Sequence, residues 1–305
     1  LYNQNPQGKS AIRRSYSGHH CQSRRWRPNT EAVRLRDQGE ALRVLHAQGV
    51  LDFAATEQLL ANFEMVLGST QVILLDLHQV QELQPQSLAM LLNAFVLLGK
   101  KGVAVVLSRA QHLIFGSGAV ALADLPHVHR QEELDLALEL AESLLLQAVA
   151  PDLAAGGPPS SLVLQQLHPD HLARLEVLLQ PHPVAAGERV IRRGDDGDTL
   201  YFVDRGRFTS SVNLQMGGGE WRHIRVATVT EGMCFGEIAF LSGEPRTADV
   251  IADEDSHCRV LHRRDFESLR SEHPETAIQL LLALSGELSW RLSRTTRQLI
   301  ALEQL

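Results

Sequence analysis

Cysteine is scarce in this chain. Its 305 residues hold three, Cys21, Cys234 and Cys258, widely spaced and with no C-x-x-C pair. That excludes a disulfide framework and suits a reducing cytoplasm. Long apolar runs are also missing. The longest candidates, such as Leu88–Gly99, fall short of the ~18–20 residues of a membrane helix and contain Asn93, so no direct membrane span is expected. No signal peptide is expected. Positive charge is in deficit: 29 Lys and Arg face 36 Asp and Glu, a net charge of -7, which argues against a general nucleic-acid binder. The motifs G-x-S-x-G, H-E-x-x-H and Walker-type loops are absent, and no nucleophile stands with a base, so no catalytic residue is assigned. His19-His20-Cys21 is the nearest approach to a metal cluster. Adjacent side chains chelate poorly and no matching pair exists, so no metal site is expected.

What is present describes an ordinary globular protein. Hydrophobic residues make up 44% and charged residues 21%. At about 100–200 residues per domain, the length suits two domains. The first residue is Leu1, and the first 27 residues carry Lys9, Arg13, Arg14, Arg24, Arg25 and Arg27 with no acidic residue. Residues 1–38 are therefore expected to be an irregular basic connector, the tail of a missing upstream domain. A basic arm for membrane or nucleic acid is the sharper alternative. Pro151–Ser161 (PDLAAGGPPSS) cannot continue a helix and marks a linker over 151–164. It separates folded regions at 39–150 and 165–305.

The first of these alternates strand and helix patterns. Ala41–Ala47 and Val50–Phe53 are strand-like about a turn at Gln48–Gly49, and Ala54–Val66 has apolar residues at helical spacing. Val72–Leu77 and Gly102–Leu107 are continuous apolar runs, as expected for buried strands covered by helices. Ser87–Leu98 reads as a helix. Gln131–Ala148 reads as an amphipathic one with Glu132, Glu133, Asp135, Glu139 and Glu142 on its polar side. This order, with Gln48–Phe53 (QGVLDF) and Leu74–Leu88 (LLDLHQVQELQPQSL), resembles the STAS domain. STAS domains are small α/β regulatory modules of anti-sigma factor antagonists, SulP anion transporters and some bacterial glutaminases. In the antagonists the strand ends in Asp-Ser-Ser and one Ser is phosphorylated. Here Gln84-Pro85-Gln86 stand there, followed by Ser87. Ser87 is expected to cap the next helix, with phosphoacceptor as the alternative.

The region 165–305 begins with a helix, passes through short strands punctuated by Gly187, Gly194, Gly197, Gly206 and Gly232, and ends in a long helix. The strands expected are Arg189–Arg192, Thr199–Val203, Arg207–Leu214, His223–Val229 and Ala248–Ala252. Asp195–Asp198 has the composition of a hairpin turn, and Met216–Glu220 that of a hairpin tip. Such a pattern suggests an antiparallel barrel or jelly roll.

Within it lies Phe235–Val250 (FGEIAFLSGEPRTADV). An anion cradle needs a glycine for close backbone approach, inward amides at a helix start, and a guanidinium fork. Gly236, the turn Ile238–Phe240 and Arg246 meet these needs. Glu237 adds an acceptor, which makes sense if a hydroxyl such as a ribose 2′-OH lies beside the anion. The run is similar to the phosphate-binding cassette of cyclic-nucleotide-binding domains, Phe-Gly-Glu-Leu-Ala followed by Pro-Arg-small-Ala. Glu237 and Arg246 keep its nine-residue separation, and Gly187–Gly206 also fits.

The resemblance implies cAMP or cGMP as ligand, with no metal. It implies a site of Phe235, Gly236, Glu237, Ile238, Ala239, Arg246, Thr247 and Ala248. Glu237 would accept the 2′-OH, and Arg246, Thr247 and the amides of Ile238 and Ala239 would hold the phosphate. Lid and base contacts would come from the last helix, at Trp290, Arg291, Thr295 or Thr296, with plain helix-surface or dimer roles as the alternative. The fold expected is thus α/β plus mainly β: an α/β STAS sandwich, then a β-jelly-roll cyclic-nucleotide-binding domain with a C-terminal helix.

A helix-turn-helix after the barrel is not expected, which with the negative charge argues against DNA as a partner. STAS followed by a cyclic-nucleotide module resembles the regulatory region of bacterial serine-dependent glutaminases and of some SulP transporters. Asn5–Ala11 (NPQGKSA) and Gln22–Arg27 (QSRRWR) lean to the glutaminases, whereas Ser17–Pro28 also resembles the transporter stretch. A glutaminase's Ser-x-x-Lys core is absent here. The expected function is a cytoplasmic cyclic-nucleotide sensor regulating an upstream catalytic or transport domain; a stand-alone sensor is the other alternative. Leu281, Leu284, Leu288, Leu292 and Ile300 lie near one stripe of the last helix, so a homodimer through that helix is expected.

Overall fold

Alternation of buried side chains builds the first half of the computed structural model, which describes residues 10–27, 29–113, 125–150, 161–215, 217 and 219–303. The chain divides into two units. One comprises Leu1–Ser23 and Thr30–Ala155, the other Arg24–Asn29 and Gly156–Gln304. The first unit holds a five-stranded sheet in the order β1 (Ile12–Ser17), β2 (Leu42–Leu51), β3 (Val72–Leu83), β4 (Ala104–Ser108), β5 (Val128–Gln131). β1 is antiparallel to β2, and all other pairs are parallel. In β3 successive residues face opposite sides. Ile73, Leu75 and Leu77 pack under helices α2 (Phe53–Val66) and α3 (Pro85–Lys100). Val72 and Leu74 pack under α1 (Asn29–Asp37) and α4 (Leu134–Val149). Helices on both faces are why the run reads as continuously apolar.

Several local expectations changed. β2 is one strand, not two: Gly49, at φ +76, sits where its pairing with β3 shifts register, so the suspected turn is a bulge. Within residues 1–38, expected to be irregular, β1 and α1 are regular elements. Glu139 and Glu142 are not on a solvated face. Both are buried, and Glu142 accepts from the amide and hydroxyl of Ser23 at 2.7 and 2.6 Å. Coverage by this N-terminal segment converts the polar side of α4 into an interior. Ser87 does not cap α3. The cap position is Gln84, Pro85 opens the helix, and the Ser87 hydroxyl is wholly buried with no hydrogen-bond partner among the described residues. Asp76 on β3 is also buried. It receives Nε and Nη of Arg109 and Nδ1 of His46, at 2.8 Å to Arg109 Nε and 3.0 Å to His46. Burial alone would raise its pKa, but His46 and Arg109 hold the carboxyl well below the usual range.

The second unit is a sandwich of two antiparallel four-stranded sheets. One runs β10 (Trp221–Thr230), β9 (Arg207–Gln215), β12 (Asp249–Ala252), β7 (Arg189–Ile191). The other runs β11 (Cys234–Phe235), β8 (Thr199–Arg205), β13 (Ser256–His262), β6 (Gln180–Val184). Phe208, Val229, Phe235, Val250 and Val260 fill the space between them. A second apolar cluster joins the β8 side to the helices α5 (Leu162–Gln165), α6 (Pro169–Glu176), α8 (Arg263–Glu272) and α9 (Pro274–Glu303). Asp195–Asp198 is not a hairpin turn, because β7 and β8 belong to opposite sheets and the chain crosses between them there. β9 and β10 do form a hairpin, pairing Gln215 with Trp221; Met216 and Gly218 lie outside the described residues. β6, with two prolines, and β13 escaped the strand pattern. Residues 151–160, where a linker is expected, lie outside the described residues, as does the side chain of Ile300.

Candidate functional site

Two left-handed glycines delimit the cassette. Gly236 (φ +84) turns the chain out of β11 into the short helix α7 (Glu237–Ser242), and Gly243 (φ +73) ends it. A Cβ at Gly236 would lie 2.6 Å from a guanidinium nitrogen of Arg246, so the position is closed to larger residues on conformation and on space. Gly197 does the same for α7 from outside: a Cβ there would meet that of Ala239 at 2.2 Å. Arg263 ties these pieces together by donating to the carbonyls of Gly197 and Ala239 at 3.2 and 3.0 Å. Phe235 is fixed beneath by Tyr201, stacked on it with centroids 4.8 Å apart.

This framework brings all eight cassette positions to one cleft. Phe235, Gly236, Glu237, Ile238, Ala239, Arg246, Thr247 and Ala248 line it, together with Trp26, Ile191, Ser210, Val229 and Val250. The cleft encloses about 430 Å³, counting its solvent-open mouth. Arg246 is buried and donates to the Gly236 carbonyl at 2.8 Å and to the Thr199 carbonyl and hydroxyl at 2.7 Å each. Its own backbone is pinned by Asp195 and Gly194. Burial pushes its guanidinium down from the ordinary value. A guanidinium carries five N–H groups, so three bonds do not exhaust it. Gly236, at the cap position, offers no side chain to the first-turn amides of α7.

Glu237 is equally buried, and its Oε1 accepts from Arg291 on α9 at 2.7 Å. Arg291 also donates to the Cys234 carbonyl at 2.8 Å and pairs with Glu287. Burial opposes its charge, but Glu237 and Glu287 raise its pKa above the ordinary value. Burial raises that of Glu287. Of the other residues expected on the last helix, Trp290 and Thr295 do not line the cleft. The Thr295 hydroxyl donates to the Arg291 carbonyl at 3.0 Å, and Thr296 is exposed.

Sequence reasoning missed Trp26, Ser210, Ile191, Val229 and Arg263. Each comes from a separate part of the chain, and none carries a local motif. The thiols offer no nucleophile. Burial pushes Cys21 and Cys258 up to about 12 and Cys234 well above its ordinary value. Among the described residues, no group of three His, Cys, Asp or Glu could hold a metal, and no helix is long and apolar enough to cross a membrane.

Known proteins align with this arrangement. The cyclic nucleotide-binding domain family matches residues 181–273, and the STAS domain family matches residues 33–114. Glutaminase 2 of Bradyrhizobium diazoefficiens is 26% identical over 300 residues, covering 96% of this chain and 46% of its own. Glutaminase 1 of the same organism is 26% identical over 299 residues, covering 96% and 47%. A cyclic nucleotide-gated potassium channel of Rhizobium etli is 31% identical over 118 residues, 38% of this chain and 30% of its own. The chain thus spans about half the length of the curated glutaminases it matches. With a mixed α/β sheet in its first unit and a glycine-delimited cassette lining a cleft in its second, the chain is a STAS domain followed by a cyclic nucleotide-binding domain, distantly similar over nearly its whole length to bacterial glutaminases.

Proposed function

We propose that this chain is the cyclic-nucleotide-sensing regulatory region of a cytoplasmic glutaminase, with the amidohydrolase chemistry carried by a partner domain. The observation that carries the sensing role is the meeting of Gly236, Glu237, Arg246 and Thr247 around one cleft. A cyclic phosphate there takes the Arg246 fork, the Thr247 hydroxyl and the first amides of α7, while the Glu237 carboxylate accepts the ribose 2′-OH. Similarity to two glutaminases over 96% of the chain supports the assignment of the regulated enzyme. Titration calorimetry of the chain with cAMP and with cGMP tests the site. Arg246→Ala removes charge-assisted bonds of about 1.5–3 kcal/mol and should weaken binding about 10- to 150-fold. Equal affinity in wild type and variant overturns it.

Pairing of two copies through α9 belongs to the same proposal. Leu284 points into its own domain's core and Leu281 packs against it, so neither serves a partner. Ile278, Leu282 and Leu292 are 54%, 62% and 69% exposed and lie on one stripe of the helix. Sedimentation of the intact chain should show a dimer that Leu282→Glu dissociates; a monomeric wild type overturns the pairing.

A further inference from the structure

One wall of the cleft comes from far away in the sequence. Trp26 stands some two hundred positions before the cassette in the sequence, outside the matched family span of 181–273, yet its side chain lines the cleft. It packs against the cluster of Phe208, Val229 and Phe235 inside the sandwich. Its indole covers the Arg291 guanidinium, 3.8 Å from the ring centroid. Arg291 is the residue that holds Glu237, and its Nε is buried with no hydrogen-bond partner. The backbone secures this placement. Trp26 donates its amide to the Thr228 carbonyl at 2.9 Å, and Arg25 bridges Thr228 in parallel on the outer strand β10. Arg24 reaches the Arg225 carbonyl at 2.7 Å. The segment therefore joins the edge of the sheet through one parallel bridge and sets one aromatic side chain against the cleft.

Indole and purine have the same outline, a six-membered ring fused to a five-membered one. Both stack on a guanidinium and both suit an apolar wall. A nucleotide whose ribose reaches Glu237 must lay its base close to that carboxylate, where Arg291 and the apolar lining are already covered by Trp26. We propose that Trp26 occupies the purine subsite of this domain, so that docking of the segment Arg24–Arg27 and binding of a cyclic purine nucleotide exclude each other. The base that displaces the indole stacks on Arg291. Displacement of the segment would release the backbone bonds that tie Arg24 and Trp26 to β10. This inference rests on the cyclic-nucleotide reading of the cleft.

An occluded site binds with an affinity reduced by the fraction of molecules in which it is open. If the docked form outweighs the open one by about ten to one, Trp26→Ala should tighten cAMP or cGMP binding about ten-fold. Arg24→Ala, which loosens the segment from outside the cleft, should tighten it by about two- to five-fold. Hydrogen exchange of the intact chain gives an independent reading. The amides of Trp26 and Thr228, bonded to Thr228 and Arg24, should exchange faster at saturating nucleotide. Weaker or unchanged binding by Trp26→Ala, or slower exchange of those amides, overturns the proposal and makes the indole a stacking platform or a bystander. Absence of binding by wild type and both variants overturns the nucleotide reading itself, and this inference with it.

Discussion

Each unit buries a carboxylate against an arginine, and the two clusters differ in what lies in front of them. In the first unit Asp76 receives both a two-pronged Arg109 and His46, so both its oxygens are committed within the sheet. In the second, Glu237 gives Oε1 to Arg291 and faces an open cleft lined by Arg246 and Thr247. The first arrangement is self-contained and serves the fold. The second holds a carboxylate in place while leaving room beside it for something else. Burial of a charge and a shifted pKa occur at both sites, so neither marks function by itself; the concavity does.

That contrast can be broken by removing one partner at each site. The larger effect belongs to the first unit. Arg109→Ala leaves Asp76 buried with His46 alone, and the loss should be about 3 kcal/mol, the low end for a broken buried pair, read as a fall in denaturant midpoint. Because the Asp76 carboxyl lies below its unfolded value, its contribution is present above about pH 4 and fades as pH falls toward the folded value. Wild-type stability should therefore drop steeply on acidification, and less steeply in Arg109→Ala. The smaller effect belongs to the second unit. Glu237→Gln leaves Arg291 paired with Glu287 and with the Cys234 carbonyl, so stability should change by only about 1 kcal/mol. Replacing a charged acceptor by a neutral one should weaken nucleotide binding about 5- to 10-fold. A large stability loss without a change in affinity would reduce Glu237 to the structural role of Asp76.

How much of this was legible in the sequence follows the range of the interactions. The cassette was readable because its demands are local: Gly236 for the left-handed turn, Arg246 nine positions after Glu237, a helix start between them. β3 and β4 were readable because a strand covered on both faces must be apolar throughout. The polar side of α4 was misjudged because periodicity shows which side of a helix is charged, not whether another segment covers it. Ser87 looked like a cap because hydroxyls favour helix starts. Pro85, two residues earlier, had already opened that helix. β6 was hidden by its prolines, tolerated because it is an edge strand of its sheet.

The sequence by itself determined the two folding units and the cassette, because each depends on residues within a turn or an alternating run of one another. Only the tertiary structure decided which distant groups meet beside Glu237. Arg291 reaches Glu237 across 54 positions. Trp26 reaches Arg291 from near the opposite end of the chain. No local pattern encodes such meetings; they exist only once the sandwich has closed and its edge strand has been covered.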